Sequence, residues 1–562
     1  MPTTETIDLD SVCTYTDGRL QLFVLLCKKV GLPQIINKYL IKPTGRPCDI
    51  TPATAAMILM APMVQEGYCP LYQLNEYYQA KDMEGIFHTP VKLEQIVDER
   101  FAYLLDSFYS AGCRKIFSEI CANALLIYGI QVKSINFDTT SLVMWGDYET
   151  SDGTMGAISI DFGHSKAKRP DKKQIKLGLG VADGTIVDAK VLSGNESDKT
   201  YNKENIEDVA ELLERVSVDK STFYYIADSA LFSEEVLAKM KAVKMNFITR
   251  MPDNINEAKT LIEIGVGECG QQVICLNAHN KEVEYFVAES TVDYKGHALK
   301  CAVVYSTALV PTKKNSIKRK VKKEQDQLDG VIKKHQKSTF GCLDAATREV
   351  KLLETELLAK SNFHKTTIET TSVEKKRQGR QFRDPSKNVT TTEYHLCITY
   401  KRDDFAIQEI IRKESTFILT SNDLTLSAEA MLLEYKTQSS VEKRFQQLKN
   451  PHFVNSLFLK TPERVEALTY LILLTMMILS IMERVVREGL KNENETVITT
   501  GKKINPKPTQ VMILRIFTGV RCQVYTLGGR TVRRLLKPLN ACQAKIVRYL
   551  GIAESHFAWN GP

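Results

Sequence analysis

The sequence lacks several patterns that accompany particular kinds of chemistry. None of its 13 cysteines forms a C-x-x-C pair or joins histidines at zinc-binding spacing. No G-x-x-x-x-G-K-[ST] phosphate loop occurs, so no nucleotide cofactor is predicted. The residues Met1–Asp10 are polar and acidic, and no signal peptide is expected. A zinc-stabilised fold, an ATP-driven reaction and a disulfide-bonded secreted protein are therefore not indicated.

Long hydrophobic runs are also missing. The longest mostly apolar run is Ala467–Met482, and glutamates flank it on both sides. A membrane-spanning helix needs about 20 residues, so this run predicts a buried core helix and no membrane partner. Together with the unpaired cysteines, it predicts a soluble protein of the cytoplasm.

Charge is unevenly distributed along the 562 residues, whose formal net charge is +8. Residues 1–130 hold 11 Lys or Arg against 14 Asp or Glu. Residues 311–337 hold 10 against 3, and residues 501–562 hold 11 against 1. Basic islands of this kind favour binding to a polyanion. The alternative for each island is a solvated helix face or a floppy tail.

The hydrophobic pattern predicts a multidomain α/β protein. Residues 1–130 carry apolar positions at helical spacing. Strand-like runs then flank the Asp183-Gly184 turn, a strong hairpin signal, and alternate with helices as far as Arg250. This order predicts a mixed sheet covered by helices. The predicted strands and helices of this part are Val132–Phe137, Ala157–Asp161, Gln174–Val181, Ile186–Leu192, Lys203–Val216, Thr222–Ala227, Ser233–Ala242 and Asn246–Arg250.

A segment of different character interrupts this pattern. Residues 253–414 combine predicted antiparallel strands with lysine-rich helices, and a strand at Thr416–Thr420 and a helix at Ala428–Lys449 follow. We predict five regions: a helical N-terminal domain, a core in two parts separated by an insertion, and a basic C-terminal region. Their boundaries are 1–130, 131–252, 253–414, 415–490 and 491–562.

Three acidic residues are candidates for catalysis. Asp138 and Asp228 each end a buried strand, where side chains point into the crevice that holds ligands in α/β folds. The third, Glu442, shares one face of the Ala428–Lys449 helix with Tyr435, Gln438 and Lys449. At about 100° per residue these four fall within roughly 60°. Carboxylates, a phenol and an ammonium suit a divalent metal beside a phosphate, whereas the alternatives are turn caps and a solvated helix face.

These residues lie in motifs that resemble a known family. The segment YKTQSSVEKRFQQLK resembles the Y-x2-R-x3-E-x6-K signature around the catalytic glutamate of DDE transposases from bacterial insertion sequences. Gln438 replaces the usual arginine of this signature, so that position carries no charge. The segments INFDTTS and YYIADSALFS look like the two aspartate strands, and NFITRMP like the strand that follows. GHSKAKRPDKKQ resembles a segment of one branch that also has a helical N-terminal domain.

The resemblance implies a fold and a reaction. The fold is an RNase H-like core interrupted by the insertion, in which Asp138, Asp228 and Glu442 converge on two Mg²⁺ ions, with Mn²⁺ as a possible substitute. Two metals about 3.5–4 Å apart can activate a water or a DNA 3′-hydroxyl and stabilise the departing oxygen. The implied reaction is cleavage at transposon ends followed by strand transfer into target DNA. A dimer on paired ends, inside a bacterial cell and associated with the nucleoid, is also implied.

Further residues are predicted to contact DNA, namely the terminal inverted repeats or the target. In addition to the helix residues Tyr435, Gln438 and Lys449, three groups of basic or polar side chains are predicted to contact DNA. One is the loop after the first strands, one the lysine-rich insertion helix, and one the basic tail. Their members are His164, Lys166, Arg169, Lys318, Arg319, Arg530, Arg533 and Arg534. A plain surface loop, an exposed helical hairpin and contacts with a partner subunit are the respective alternatives.

Two other functions remain compatible with the sequence. A metal-dependent DNA nuclease would need the same three carboxylates but would not join DNA ends. A DNA-binding protein with a disabled site would need the basic islands alone, although the presence of all three acidic residues argues against it.

Overall fold

The computed structural model describes residues 7–40, 50–65, 67, 69–146, 148, 156–267, 270–276, 281–376, 390–450, 459–499 and 503–561. The strands are β1 (Ile7–Tyr15), β2 (Ser134–Val143), β3 (Gln174–Ala182), β4 (Thr185–Leu192), β5 (Tyr224–Ala227), β6 (Asn246–Arg250), β7 (Gln271–Leu276), β8 (Glu282–Tyr294), β9 (His297–Ser306), β10 (Thr339–Phe340), β11 (His364–Lys376), β12 (Thr390–Arg402), β13 (Thr416–Ser421), β14 (Val497–Thr499), β15 (Lys503–Asn505), β16 (Cys522–Leu527) and β17 (Arg530–Leu535).

Eighteen α-helices lie between these strands in the described part of the chain. They are α1 (Gly18–Lys29), α2 (Leu32–Tyr39), α3 (Pro52–Met60), α4 (Leu74–Tyr78), α5 (Met83–Phe87), α6 (Asp98–Ser110), α7 (Cys113–Ile127), α8 (Asp198–Arg215), α9 (Glu234–Ala242), α10 (Asn256–Ile264), α11 (Val310–His335), α12 (Leu343–Lys360), α13 (Asp404–Glu414), α14 (Ala428–Lys436), α15 (Ser439–Leu448), α16 (Pro462–Asn492), α17 (Gln510–Ile516) and α18 (Ala541–Tyr549).

The chain divides into two compact units. The first comprises residues 1–250, 421–423 and 434–562, and the second comprises residues 251–420 and 424–433. The fold class is therefore a mixed α/β architecture with a helical N-terminal region, as the sequence predicts.

The first unit contains a mixed sheet with strand order β4-β3-β2-β5-β6. β3 pairs antiparallel with β2 and β4, whereas β2, β5 and β6 run parallel. The β3–β4 turn has Asp183 at φ 46° and Gly184 at φ 78°, which is the type I′ geometry that a two-residue hairpin needs. Three antiparallel strands followed by two parallel ones match the RNase H-like core that the resemblance implies.

The helix α16 forms the centre of this unit. It is long and apolar enough to cross a membrane by length and composition, but 94% of its apolar window is buried within the protein. It packs against α6, α7 and β4. The prediction of a core helix over Ala467–Met482 thus describes the middle of a longer buried helix.

The second unit has its own strands and cores. One group of strands has the order β13-β9-β8-β7, and another has the order β10-β12-β11. Leu328, Leu353 and Leu396 belong to an apolar cluster that joins α11 and α12 to the long β11–β12 ribbon. This unit contains the segment that the sequence predicts as an insertion.

One predicted strand is absent from the structure, and the C-terminal region is not the floppy tail that was the alternative for its basic island. Residues Ala157–Asp161 form no strand, because only Asp161 pairs, in an isolated bridge with Gln174. The basic C-terminal region is also folded: β17 pairs with β16, which pairs with β1 near the N-terminus. In β17 Arg533 is buried and the next residue, Arg534, is exposed, a difference that a count of charges does not reveal.

The structure corrects the predicted role of Arg533. Its side chain lies in β17, only 5% exposed as a residue, and its guanidinium binds carboxylates of the N-terminal region. Nε lies 2.7 Å from Asp82 Oδ2, and Nη2 lies 2.9 Å from Glu84 Oε2. These carboxylates outweigh burial and raise the pKa of Arg533. Its guanidinium is committed to intramolecular ion pairs, so Arg533 is not counted among the phosphate contacts.

We predict that Arg533→Met destabilises the first unit by about 3 kcal/mol, because it leaves two partly buried carboxylates without their counter-charge. The measurement is the thermal unfolding midpoint of the full chain. The matched control is Arg534→Met at the neighbouring exposed position, which should shift the midpoint little. Equal midpoints for both variants would contradict the structural role given to Arg533.

Candidate active site

The register of two parallel strands brings Asp138 and Asp228 together. Asp138 lies within β2, and Asp228 directly follows β5. In the β2–β5 pairing Asn136 stands opposite Ile226, so the same register continued by two residues sets Asp138 beside Asp228. Neighbouring strands are about 4.8 Å apart. The two carboxylates therefore lie side by side at the edge where β5 ends, although β2 continues to Val143.

The environment of Asp228 shows the consequence of this proximity. Burial, and then the neighbouring charge of Asp138, raise the pKa of Asp228. Its Oδ1 accepts a hydrogen bond from the Ala230 N–H at 3.0 Å, which opposes these effects and fixes the side chain at the end of the strand. Two like charges at this separation favour a cation between them.

An ammonium supplies positive charge at this edge. Lys166 Nζ lies 3.2 Å from Asp138 Oδ1 and 3.2 Å from Asp198 Oδ2. It also donates to the carbonyl oxygen and the hydroxyl of Thr139, both at 2.9 Å. Burial lowers the pKa of Lys166, but the two aspartates outweigh it and the net shift is upward. The lysine predicted to touch DNA thus binds a candidate metal ligand directly.

Asp198 and Lys176 extend this network, and the sequence reasoning missed both. Lys176 Nζ lies 2.5 Å from Asp198 Oδ1, which also accepts a hydrogen bond from the Thr139 hydroxyl at 2.7 Å. Asp198 begins α8, where Ser197 is the N-cap. From the sequence, an acidic residue in the first turn of a helix is explained by its favourable interaction with the helix dipole. Only the tertiary structure shows that Asp198 contacts the site.

The helix that carries Glu442 differs from the prediction. In place of one helix over Ala428–Lys449, α14 ends at Lys436 and α15 begins at Ser439. The Thr437 hydroxyl donates to the Glu434 carbonyl at 2.6 Å, and i→i+3 hydrogen bonds tighten the junction. The single stripe of four residues is therefore broken: Tyr435 lies in α14, Gln438 at the junction and Glu442 in the first turn of α15.

Side-chain hydrogen bonds attach this helix pair to the sheet that carries Asp138 and Asp228. Asn136 Nδ2 donates to Thr437 Oγ1 at 2.7 Å, two residues before Asp138 on the same strand. Ser134 Oγ donates to Glu434 Oε2 at 3.0 Å. At the other side of α15, buried Arg444 donates from Nε to the Gly184 carbonyl at 2.7 Å. Glu442 thus stands on a helix anchored to β2 and to the β3–β4 turn.

All three predicted catalytic carboxylates influence the pKa of the Tyr435 phenol. Burial raises its pKa to about 12; Asp228, Asp138 and Glu442 add to this rise, and Arg250 opposes it. The phenol therefore stays protonated at neutral pH and is able to act as a hydrogen-bond donor. Arg250, the last residue of β6, is a further basic residue near the site that the sequence pattern does not single out.

The remaining predicted contacts lie in different parts of the chain. Lys449 caps α15, and burial together with the charge of Lys166 lowers its pKa while Asp138 opposes that change. His164 is exposed in the loop before β3. In the same loop Arg169 forms a two-point ion pair with Asp171, at 2.8 and 2.7 Å. The exposed basic residues on other elements are Lys318 and Arg319 on α11 and Arg530 and Arg534 on β17.

The candidate site suits a divalent metal because of its oxygen donors, although the described side chains do not surround a metal position closely. Among the described residues, no three Asp, Glu, His or Cys side chains form a group tight enough to hold a metal ion. The Lys166 ammonium beside Asp138 nevertheless stands in for a cation at that carboxylate. Asp138, Asp228 and Glu442 supply the oxygen ligands that Mg²⁺ prefers. They are the residues that would hold it.

Two solved structures resemble the chain at low similarity. A piggyBac transposase synaptic complex with hairpin DNA shares 9% identity, covers 89% of this chain and 79% of that chain, and has a TM-score of 0.37. A Mos1 transposase paired-end complex with the left transposon end shares 11% identity over 37% of this chain and 60% of that chain, with a TM-score of 0.15. Scores this low carry no weight in assigning the family.

The family of the chain is shown by a family model. No curated protein matches the chain. Residues 18–122 match a domain of unknown function (DUF4277). Residues 152–478, more than half of the chain, match the family described as "Transposase DDE domain". That match covers Asp228 and Glu442, and the pairing of β5 with β2 adds Asp138. The chain belongs to the DDE transposase family.

Proposed function

We propose that this transposase cuts DNA at the terminal inverted repeats of its element and joins the freed ends to target DNA. The observation that carries the proposal is the β2–β5 register, which sets Asp138 beside Asp228, with Glu442 on a helix anchored to the same strand. Carboxylates in this arrangement suit phosphoryl transfer to water or to a DNA 3′-hydroxyl, and no covalent intermediate with the protein is required.

We assign Asp138, Asp228 and Glu442 to hold two Mg²⁺ ions, or Mn²⁺ in their place. DDE transposases use divalent metals, which when bound make the attacking oxygen a better nucleophile and stabilise the departing one. The protein's own groups position the phosphate. The protonated Tyr435 phenol donates to a phosphate oxygen, and the ammonium of Lys449 adds positive charge beside it.

We assign DNA contacts away from the metal site to basic side chains that are exposed or partly exposed. Lys318 and Arg319 on α11 and Arg530 and Arg534 on β17 would contact the phosphate backbone, and so would Arg169 and His164 in the loop before β3. Gln438 brings a neutral amide to the junction of α14 and α15. The action of one protein on two element ends further implies a homodimer in the synaptic complex, working at the nucleoid in the cytoplasm.

The carboxylates are tested by the variants Asp138→Asn, Asp228→Asn and Glu442→Gln. Each should reduce cleavage and joining of a plasmid carrying the element's ends with Mg²⁺. The loss should exceed the 10- to 100-fold that removal of a supporting residue produces, because a metal ligand itself is removed. Glu211→Gln, an exposed carboxylate on α8, is the matched control.

The same assay separates the alternatives. Cleavage and joining that survive all three substitutions would contradict the assignment. Cleavage without joining by the unchanged protein would identify a nuclease, and DNA binding without chemistry would identify a disabled DNA-binding protein.

Lys166 supplies a second test, through metal binding rather than turnover. Lys166→Gln removes the ammonium 3.2 Å from Asp138, so Mn²⁺ should bind about fivefold more tightly, the factor that about 1 kcal/mol of charge repulsion produces. The measurement is a Mn²⁺ titration followed by electron paramagnetic resonance. Lys168→Gln, two residues along the same loop, is the control and should leave the affinity unchanged. Unchanged or weaker binding in Lys166→Gln would show that the ammonium does not compete with the metal.

The C-terminal basic residues are tested by salt dependence. The double variant Arg530→Gln, Arg534→Gln should make the negative slope of log K against log salt shallower by roughly 0.9 for each DNA phosphate that the protein no longer neutralises. A fluorescence-anisotropy titration of terminal-repeat DNA at several salt concentrations measures this slope. The double variant Lys29→Gln, Lys92→Gln in the N-terminal region is the control. A larger change in the control would assign the phosphate contacts to residues 1–130.

A further inference from the structure

Asp198 is a fourth carboxylate beside the candidate catalytic residues. It begins α8, and its side chain is 25% exposed. Burial, and then the charges of Asp138 and Asp198, raise the pKa of Asp228. Asp198 is therefore close to both aspartates that are assigned to the metal, although it is not itself one of the assigned ligands.

Two lysines bind the two oxygens of Asp198. Lys176 Nζ lies 2.5 Å from Oδ1, and Lys166 Nζ lies 3.2 Å from Oδ2. Oδ1 also accepts a hydrogen bond from the Thr139 hydroxyl at 2.7 Å. Lys176 is only 5% exposed and donates in addition to the Glu196 carbonyl at 2.7 Å. Asp198 is therefore fixed through Oδ1, which leaves Oδ2 for Lys166.

The ammonium of Lys166 is shared among three residues. It has three N–H groups. Its acceptors are Asp138 Oδ1 and Asp198 Oδ2, each at 3.2 Å, and the carbonyl and hydroxyl oxygens of Thr139, each at 2.9 Å. The backbone N–H of Lys166 donates to Ser141 Oγ at 3.2 Å, which attaches the residue to β2. Lys166 can therefore release Asp138 and remain in place through its other contacts.

Lys166 cannot keep its contact with Asp138 when that carboxylate holds a metal ion, because the two cations repel each other. The ammonium then retains Asp198 and Thr139, and the N–H group that faced Asp138 needs another acceptor. The DNA phosphate that reacts at Asp138 and Asp228 offers a nonbridging oxygen, and a hydrogen bond between ions of opposite charge is a strong one. Asp198 thus keeps a cationic donor beside the reacting group.

A second ammonium increases the need for an anion at this position. Burial, and then the charge of Lys166, lower the pKa of Lys449, whereas Asp138 opposes that change. The two ammonium groups are therefore near each other and near Asp138, where a bound phosphate would relieve their repulsion.

We propose that Asp198 is a positioning residue that holds Lys166 in the candidate active site, where Lys166 donates to a nonbridging oxygen of the reacting phosphate. The proposal rests on the proposed function, because that phosphate is the one cleaved at Asp138 and Asp228. If Asp198 served only as the counter-charge of Lys176, its effect on cleavage would not depend on Lys166. The dependence on Lys166 is therefore the quantity to measure.

Single-turnover cleavage by the full-length protein, with Mg²⁺ and a DNA fragment carrying one element end, measures this dependence. Lys166→Met should slow cleavage roughly 10- to 150-fold, the range expected for loss of one hydrogen bond to a charged group. Lys166→Arg should recover part of the rate, because a guanidinium keeps the charge and the donors. Asp198→Asn should slow cleavage about tenfold, as removal of a supporting residue does.

The double variant Lys166→Met, Asp198→Asn separates positioning from a structural role. It should cleave at the rate of Lys166→Met alone, because Asp198 then has no ammonium to hold near the phosphate. Glu211→Gln, an exposed carboxylate on the same helix, is the control and should leave the rate unchanged with and without Lys166.

Thermal melts identify any variant that fails to fold. Asp198→Asn leaves the buried ammonium of Lys176 without its counter-charge, which is destabilising. If Asp198→Asn does not fold, the variant Lys176→Met, Asp198→Asn removes both charges of that pair and replaces it in the comparison, with and without Lys166→Met.

Two results would overturn the proposal. One is a cleavage rate of Lys166→Met or Asp198→Asn within twofold of that of the unchanged protein. The other is an equal slowing by Asp198→Asn in the presence and in the absence of Lys166. Loss of cleavage in Asp138→Asn together with either result would reject the positioning role alone. Cleavage that survives Asp138→Asn would reject the proposed function instead.

Discussion

The candidate active site depends on one constraint, which is the pairing of two parallel strands in a single register. Once Asn136 stands opposite Ile226, Asp138 and Asp228 must lie side by side, and their repulsion has to be offset by positive charge. Lys166 provides that charge at Asp138. A slip of one residue would move one carboxylate to the other face of the sheet. The buried residues on both faces of β2 and β5, such as Tyr225 on one face and Ile226 on the other, therefore specify the site as well as the core.

Local patterns made much of this unit predictable from the sequence. The Asp183-Gly184 turn and the strand at Asn246–Arg250 lie where the pattern places them, because turn chemistry and β-branched runs act over a few residues. The break between α14 and α15 was not predictable in the same way. Periodicity continues through Thr437, whereas the hydroxyl contact of Thr437 with Asn136 joins residues about 300 positions apart. Signals of that kind exist only after the chain has folded.

The net charge of a region was the least reliable predictor of its DNA-binding residues. The basic C-terminal region reads as a DNA-binding tail, yet Arg533 and Arg534 are neighbours with different environments: one pairs with Asp82 and Glu84, the other faces solvent. Strand alternation decides this, since successive side chains point to opposite faces. The acidic balance of residues 1–130 has a related explanation, because part of it serves as the counter-charge for Arg533 within the same unit. Net charge over a region thus mixes intramolecular pairs with surface available to DNA.

The long excursion of the chain between β6 and the Glu442 helix does not loosen the site, and hydrogen bonds within the first unit show why. Asn422 accepts from the Phe247 N–H at 3.0 Å and donates to the Met245 carbonyl at 3.1 Å, so residues on either side of the excursion are joined directly. Loop-closure entropy grows only slowly with loop length, and once the two ends are fixed a large folded insertion adds little further cost. The position of Glu442 is then set by Asn136, Thr437 and Arg444, all within the first unit. The contacts that fix the helix of Glu442 therefore involve no residue of the segment 253–414.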